Sequence, residues 1–221
     1  LAQKQQNRNL VIRNFLREGG QGEIDASSLE LAPDGSLIQI YYWDGQWRIN
    51  TRKSFGQGDC RTNKVPLLEF KTWEQLVTEI LPLERINRLC NKNETYVFEV
   101  CSLWNKNVRH YSTPMLSLLT ARNNWHYREC GDIFLDHLAI DLGVKRPVRF
   151  DFKSVDDCKD YISKQGDATF EGFVLKSGDN RIKLKNPDYL ALHHLKDNGN
   201  ICNMNRLVPL LINGDTDEII A

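Results

Sequence analysis

The chain has 221 residues, of which 41% are hydrophobic, 10% aromatic and 26% charged, the balance of a globular protein able to bury a sizeable core. Its 29 Lys and Arg offset its 29 Asp and Glu, which excludes a general attraction to polyanions and leaves any anion site to a local patch. No apolar run approaches a membrane span and Leu1 to Arg8 is polar, so the expected location is inside the cell, in the cytoplasm or nucleus, with no membrane partner.

In chain order, Ser36–Trp43 is rich in β-branched and aromatic residues, Asp44-Gly45 is a two-residue turn signal, and Gln46–Thr51 alternates again, which predicts a β-hairpin. Thr72 and Gln75 form a capping box ahead of Trp73, Leu76, Val77 and Ile80, and Pro82 should end that helix before a short one over 83–90. A strand is expected over 95–101, a helix over 130–142, a strand over 148–152 and a helix over 154–164 capped by Ser154; 115–122 fits either class. Residues 169–176 and 181–185 predict a second hairpin around 177–180, and Asn186-Pro187 opens a last helix as N-cap and first-turn Pro. The sum is an α+β fold on antiparallel sheet, expected as one domain because the 7 Pro and 14 Gly are dispersed. Six Cys (Cys60, Cys90, Cys101, Cys130, Cys158, Cys202) lack disulfide or zinc-ligand spacing and read as free, mostly buried thiols.

Side chains in a strand alternate faces, so Arg181, Lys183 and Lys185 point to one side while Ile182 and Leu184 point to the other. On the paired strand Thr169, Glu171, Phe173 and Leu175 share a face, and a Glu171 carboxylate opposite the lysines would complete a trio suited to phosphate and a metal. The same pattern also describes an edge strand kept soluble by Lys with a cross-strand ion pair. Locally, Arg181, Lys183, Lys185, Lys196 and Arg206 face only Asp188 and Asp197 over 181–206, a phosphate-facing patch or a solvated face. Glu99, between Phe98 and Val100, either bonds a group in a pocket or sits on the strand's solvent face, and Asp34-Gly35-Ser36 alone is an ordinary turn.

Taken in order, these signals resemble the covalent nucleotidyltransferase superfamily, specifically the phage-type RNA ligases of the RNA ligase 1 group, from about Val11 to Lys196. The family's Lys-x-Asp-Gly motif is similar to Ala32-Pro33-Asp34-Gly35, followed by Ser36-Leu37 and by Thr51-Arg52-Lys53-Ser54. Phe98-Glu99 with Asn105 to Tyr111, Glu171-Gly172-Phe173-Val174, and Lys183-Leu184-Lys185-Asn186-Pro187 resemble the later motifs, and Ile12-Arg13-Asn14-Phe15 loosely resembles the family's Lys-Phe-Phe-Asn stretch.

The resemblance implies an antiparallel-sheet nucleotidyltransferase (adenylyltransferase) domain of the ATP-grasp-like DNA/RNA ligase type. It implies a reaction in which a lysine amine takes AMP from ATP, AMP passes to an RNA 5′-phosphate, and an RNA 3′-hydroxyl displaces it. By resemblance, Lys183 and Lys185 contact phosphates, Glu171 holds a divalent Mg or Mn ion, Glu99 bonds the ribose, and Asp34 supports the first-motif site. Arg52 touches ribose or the RNA 5′-phosphate, Arg13 and Phe15 serve the nucleotide, and Leu31 and Gly35 line its site. The implied partners are ATP and RNA ends, and the implied state is a monomer.

Two departures qualify this expectation. The nucleophile's position holds Ala32, whose methyl group cannot attack phosphorus, so the chain is expected not to self-adenylylate. An engineered Lys-to-Ala replacement that traps noncovalent ATP is one origin, and a natural nucleotide- or RNA-end-binding pseudoenzyme is the other. The second departure is at the ends: the family's upstream Arg-Gly segment has no counterpart before Leu10, and 197–221 is expected to be a tail without an appended specificity domain. The missing oligonucleotide-binding domain argues against a DNA ligase or a capping guanylyltransferase. Adjacent His193 and His194 diverge on a helix and make no ligand pair. Trp43 and Trp47 flank the first turn and suit either base stacking or cross-strand packing.

Overall fold

The structure, a computed structural model, describes residues 28–52, 71–105, 108–152, 154–177 and 180–196. In chain order its elements are β1 (Ser28–Leu31), β2 (Ser36–Trp43), β3 (Gln46–Thr51), α1 (Trp73–Ile80), α2 (Leu83–Leu89), β4 (Glu94–Cys101) and β5 (Met115–Asn123). They continue with α3 (Asp132–Leu142), β6 (Arg149–Phe150), α4 (Val155–Lys164), β7 (Gly172–Ser177), β8 (Asn180–Lys185) and α5 (Pro187–Lys196). Residue contacts divide the chain into two compact units, one of residues 1–32 and 148–190 and the other of residues 33–147 and 191–221.

The first unit is built on an antiparallel sheet in the order β6-β1-β7-β8. Phe173 and Leu175 alternate onto one face and pack with Cys158 and Ile162 of α4, with Phe170, and with half-buried Leu31, Ile182 and Leu184. Phe150, Phe152, Tyr161 and Phe173 meet as an aromatic cluster, with Phe150 edge-on to Phe173 at 5.1 Å. Each such buried ring or aliphatic chain contributes about 2 kcal/mol of transfer free energy. The helix α4 starts where Ser154 accepts the Asp157 N–H at 3.1 Å.

In the second unit the antiparallel order is β3-β2-β4-β5. Asp44 (φ 50°) and Gly45 (φ 77°) take the left-handed conformations of a tight two-residue turn, which sets the β2–β3 register from Trp43 opposite Gln46 to Ile38 opposite Thr51. Alternation then aligns Ile38, Ile40, Trp47, Ile49, Tyr96, Phe98 and Val100 on one face, against Leu76 and Val77 of α1, Ile86 of α2 and Leu135, Leu138 and Leu142 of α3. The reciprocal Thr72–Gln75 capping bonds (3.1 and 2.8 Å) open α1, and Pro82 opens α2. Arg146 ties α3 to β5, with Asp132 and Asp136 at 2.7 and 3.0 Å and the Leu118 and Leu119 carbonyls at 2.6 and 2.8 Å.

Several expectations are corrected. The strand β1 alternates Ser28-Leu29-Glu30-Leu31 over four residues only, too short a run to announce it, and forms because both its edges pair, with β6 and with β7. The ambiguous 115–122 stretch is a strand, Met115–Asn123, held along β4 through a register shift between Val97 and Phe98. The expected strand over 148–152 shrinks to Arg149–Phe150, and the second hairpin begins at Gly172 because Asp167 caps a turn over 167–170. Of the two alternatives for the tryptophans beside the first turn, Trp47 takes cross-strand packing, edge-on to Tyr42 directly opposite it at 5.4 Å, while Trp43 is exposed. Cys90, Cys101, Cys130 and Cys158 are free thiols, while Cys60, Cys202 and the acidic tail at Asp215, Asp217 and Glu218 lie outside the described residues. Among the described residues no helix is long and apolar enough to cross a membrane.

Candidate active site

In the first unit, the face of the sheet turned away from the aromatic core carries the chemistry. Register places Lys183 opposite Val174, which is opposite Glu30; Lys185 lies opposite Gly172, whose carbonyl accepts the Ala32 N–H at 3.0 Å. Residues opposite one another share a face in an antiparallel sheet, so Ala32, Glu30, Lys176, Lys183 and Lys185 all belong to this one. Ala32 is buried, at 5% exposure, and Leu31 beside it turns to the core.

Glu171 joins these residues by a route that alternation does not predict. Phe173 and Leu175 belong to the core face, so a Glu171 continuing β7 regularly would point away from the lysines, contrary to the shared-face expectation for Thr169, Glu171, Phe173 and Leu175. Thr169 lies in the Asp167 turn instead. Gly172 has φ +124°, a conformation that side chains rarely adopt, and a Cβ there would stand 2.0 Å from the Leu184 carbonyl oxygen. That turn swings the Glu171 carboxylate onto the functional face. Its Oε1 lies 2.5 Å from Lys183 Nζ and 3.4 Å from Lys185 Nζ, with Glu171 buried and the two lysines about one-third exposed. Lys185 Nζ also stands 5.6 Å from the Tyr189 ring centre.

The helix α5 anchors the far end of this cluster. Asn186 accepts the Asp188 N–H at 3.1 Å as N-cap, donates its own backbone N–H to the Glu171 carbonyl at 3.0 Å, and bonds the Asp167 carbonyl at 3.1 Å. A further ion pair, Lys176 Nζ to Glu30 Oε1 at 2.6 Å, is buried on the same face. Sequence reasoning passed over this pair, although Lys176 is in phase with Val174 and Glu30 lies two residues before Ala32, which is the signal that would have found it.

The second unit positions Asp34, Gly35, Glu99 and Arg52. A Cβ on Gly35 would meet the Val100 carbonyl oxygen at 2.4 Å, Glu99 Cγ at 2.8 Å and Cys101 Sγ at 2.9 Å, so only glycine lets the 34–36 turn lie against β4 beside Glu99. Asp34 is buried and its Oδ2 accepts the Arg109 N–H at 2.7 Å. Asn105 donates to Ser36 Oγ at 2.6 Å and accepts from Ser102 at 2.5 Å, which ties residues 102–105 to the same turn. Burial pushes the Cys101 thiol up to about 12, partly offset by a hydrogen bond with Tyr111, and burial likewise raises the Tyr111 phenol. Glu99 is half-buried and pairs with Leu37 across the ladder, and exposed Arg52 directly follows Thr51 at the end of β3. Arg13 and Phe15 lie outside the described residues.

The donor set has a definite metal chemistry. Among the described residues no group of three or more Asp, Glu, His or Cys side chains could hold an ion, so no all-protein cage is formed. The Glu171 carboxylate is a hard oxygen donor, and both ammonium groups meet the same oxygen, Oε1. One such carboxylate fits a Mg or Mn ion whose other ligands are substrate phosphates and water.

The sequence matches a family model described as RNA ligase over residues 21–189. A viral protein of Autographa californica nuclear polyhedrosis virus, with the provisional name bifunctional polynucleotide kinase/RNA ligase, is 32% identical over 201 residues, 85% of this chain and 26% of that protein. Among solved structures, a Lys-to-Ala mutant of Naegleria gruberi RNA ligase with ATP and Mn is similar over 82% of this chain and 55% of its own, with 14% identity and a TM-score of 0.57. An archaeal ATP-dependent RNA ligase is similar over 82% of this chain and 49% of its own, with 16% identity and a TM-score of 0.57. The chain therefore spans about a quarter of the viral relative and about half of these solved structures, and the structural likeness is one of fold.

Proposed function

The chain belongs to the RNA ligase family, and we propose on that footing that it is the adenylyltransferase part of an ATP-dependent RNA ligase. With Ala32 in place it binds ATP and a divalent ion without taking up AMP covalently. The family match runs across both units, which supports reading them as parts of one adenylyltransferase domain. The proposed partners are RNA 5′-phosphate and 3′-hydroxyl ends, and the proposed state is a monomer inside the cell.

The observation that carries this function is the Glu171–Lys183–Lys185 cluster on the face that also holds Ala32. All steps of RNA sealing are phosphoryl transfers, which need charge neutralisation and in-line positioning more than acid or base groups. Lys183 and Lys185 supply two converging ammonium groups for the phosphates. With the lysines drawn to a triphosphate, Glu171 would be the residue to hold Mg or Mn, and such an ion would supply further neutralisation of phosphate charge. Glu99 bonds the ribose, Asp34 holds the first-motif turn through the Arg109 N–H, and Arg52 meets ribose or RNA phosphate.

A lysine at position 32 would rise from the sheet in the row of Lys185 and next to the row of Lys183. Neighbouring cations disfavour an ammonium and lower its pKa, which supplies the free amine that attacks the α-phosphate as pyrophosphate leaves. AMP then passes to the RNA 5′-phosphate and is displaced by the 3′-hydroxyl. Ala32 itself favours a second reading, a nucleotide- and RNA-end-binding protein without catalysis, and the encoding gene separates the two by its codon at this position. Calorimetry with ATP in Mn or Mg tests the proposal: ATP should bind, GTP should compete weakly, and an absence of ATP binding by the folded chain overturns it.

A further inference from the structure

We propose that the end of the second unit's sheet farthest from Glu99 is a stacking platform for single-stranded RNA, formed by Trp43, Trp125 and Tyr127 with the cations around them. It rests on the reading of the chain as an RNA-joining enzyme for its choice of RNA over DNA. The three rings are the most exposed aromatics among the described residues, at 68, 74 and 65%. All three lie at one place, since Tyr41 pairs with Thr95 and Thr95 with Arg122, and Trp43 and the 123–128 loop continue past that row. Asn93, just before β4, is about 20 Å from Glu99 along the chain's extended direction.

The loop that presents Trp125 and Tyr127 is built. Asn123 Oδ1 accepts the N–H groups of Trp125 (2.9 Å) and His126 (3.1 Å), while the Asn123 carbonyl accepts the Tyr127 N–H at 3.0 Å. The Asn93 carbonyl accepts the Asn124 N–H at 2.8 Å, and Trp125 Nε1 donates to Asn93 Oδ1 at 3.3 Å. Tyr127 is held at φ +55°, a left-handed conformation that costs free energy for a non-glycine residue, yet its ring points to solvent rather than into a core. Fixed aromatic planes left in water are what unstacked bases bind.

Charge selects the occupant. Arg122 lies over the Tyr127 ring at 5.2 Å, and Lys92 lies over neighbouring Tyr42 at 4.4 Å, so one cation sits on a platform ring and another beside the platform. Exposed Lys92, Arg122 and Arg128 face one exposed acid, Asp44, whereas Glu94 and Glu129 are half-buried and accept hydrogen bonds from Tyr96 and Thr120. In a chain with no net charge this is a local excess of positive charge, which complements a phosphate backbone.

The test is fluorescence anisotropy of a labelled single-stranded RNA of about 12 nucleotides, the span of one such groove, with the full chain and its W43A/W125A and R122Q/R128Q variants. The aromatic pair should weaken binding about tenfold or more, the arginine pair should weaken it and flatten its salt dependence, and ATP binding should stay unchanged in both. RNA affinity within twofold of the unaltered chain in the aromatic variant overturns the proposal, as does a chain that binds no RNA. Self-association lost on aromatic substitution, with RNA affinity intact, assigns the surface to a protein partner and also overturns it. Because ATP binding is measured beside RNA binding, failure of the platform is distinguishable from failure of the ligase reading, in which ATP binding would be absent. A single-stranded DNA of equal length bound tenfold tighter than RNA would overturn the choice of nucleic acid.

Discussion

Replacing Gly172 by alanine tests whether a single backbone turn assembles the phosphate cluster. The residue sits at φ +124°, and an added Cβ would stand 2.0 Å from the Leu184 oxygen and 3.0 Å from Lys185 Cα. Backbone strain of this kind costs about 1–3 kcal/mol, and forced overpacking against backbone costs about 1–3 kcal/mol more. The middle of that range is about 4 kcal/mol, which at about 3 °C per kcal/mol for a chain of this size lowers Tm by about 12 °C. Relief by rotating the turn moves the Glu171 carboxylate off Lys183 and Lys185, so ATP affinity in Mn should fall at least tenfold even below the new Tm. The matched control is Gly131→Ala, where an added Cβ meets nothing within 4 Å and φ is −67°. Circular dichroism melts and calorimetry read both quantities. A G172A chain that melts within 2 °C of the G131A control and binds ATP normally would refute the assignment of Glu171's position to this turn.

The remaining expectations follow from individual contacts. Glu171→Gln removes the charge shared by two lysines, and should abolish the Mn dependence of ATP affinity while leaving metal-free ATP binding equal or tighter; retained Mn dependence in calorimetry contradicts the metal role. Asp34→Asn weakens the acceptor of the Arg109 N–H at 2.7 Å and should cost about 1–2 kcal/mol in urea unfolding, with a cost near zero arguing against its holding the turn. Burial raises the thiols of Cys90 and Cys101 from 9.0 to about 12. Because the folded state disfavours their thiolates, the stability they confer is full below pH 9 and is lost as pH rises from 9 toward 12. Denaturation midpoints measured across that window should decline in the parent chain and decline less in a C90A/C101A variant.

Much of this fold is written in local signals whose physics is short-range. The Asp44-Gly45 turn, the Thr72–Gln75 box, the Ser154 cap and the Asn186-Pro187 helix start each depend on residues within a few positions of one another, and each is found where the sequence predicts it. The strand at Ser28–Leu31 was not legible because its alternation runs over four residues only and its pairing partners lie more than a hundred residues away, and the class of 115–122 is decided by its ladder with β4. The site shows the same division. Lys183 and Lys185 share a face by simple alternation, as expected, whereas Glu171 reaches them only through the unusual φ at Gly172, which period-2 reasoning cannot anticipate. Gly35 and Asp34 read as an ordinary turn by themselves, and their fit against Glu99 and Arg109 is a tertiary fact.

The central claim is that this face is an adenylylation site lacking only its nucleophile. Label transfer from α-labelled ATP, in Mn or Mg, compares the chain with its Ala32→Lys variant most directly. The account predicts a covalent, acid-labile and alkali-stable adduct in the variant, as a phosphoramidate requires, and none in the chain as it stands. A folded Ala32→Lys variant that binds ATP but takes up no label would contradict it, and would leave a nucleotide-binding protein in place of a ligase.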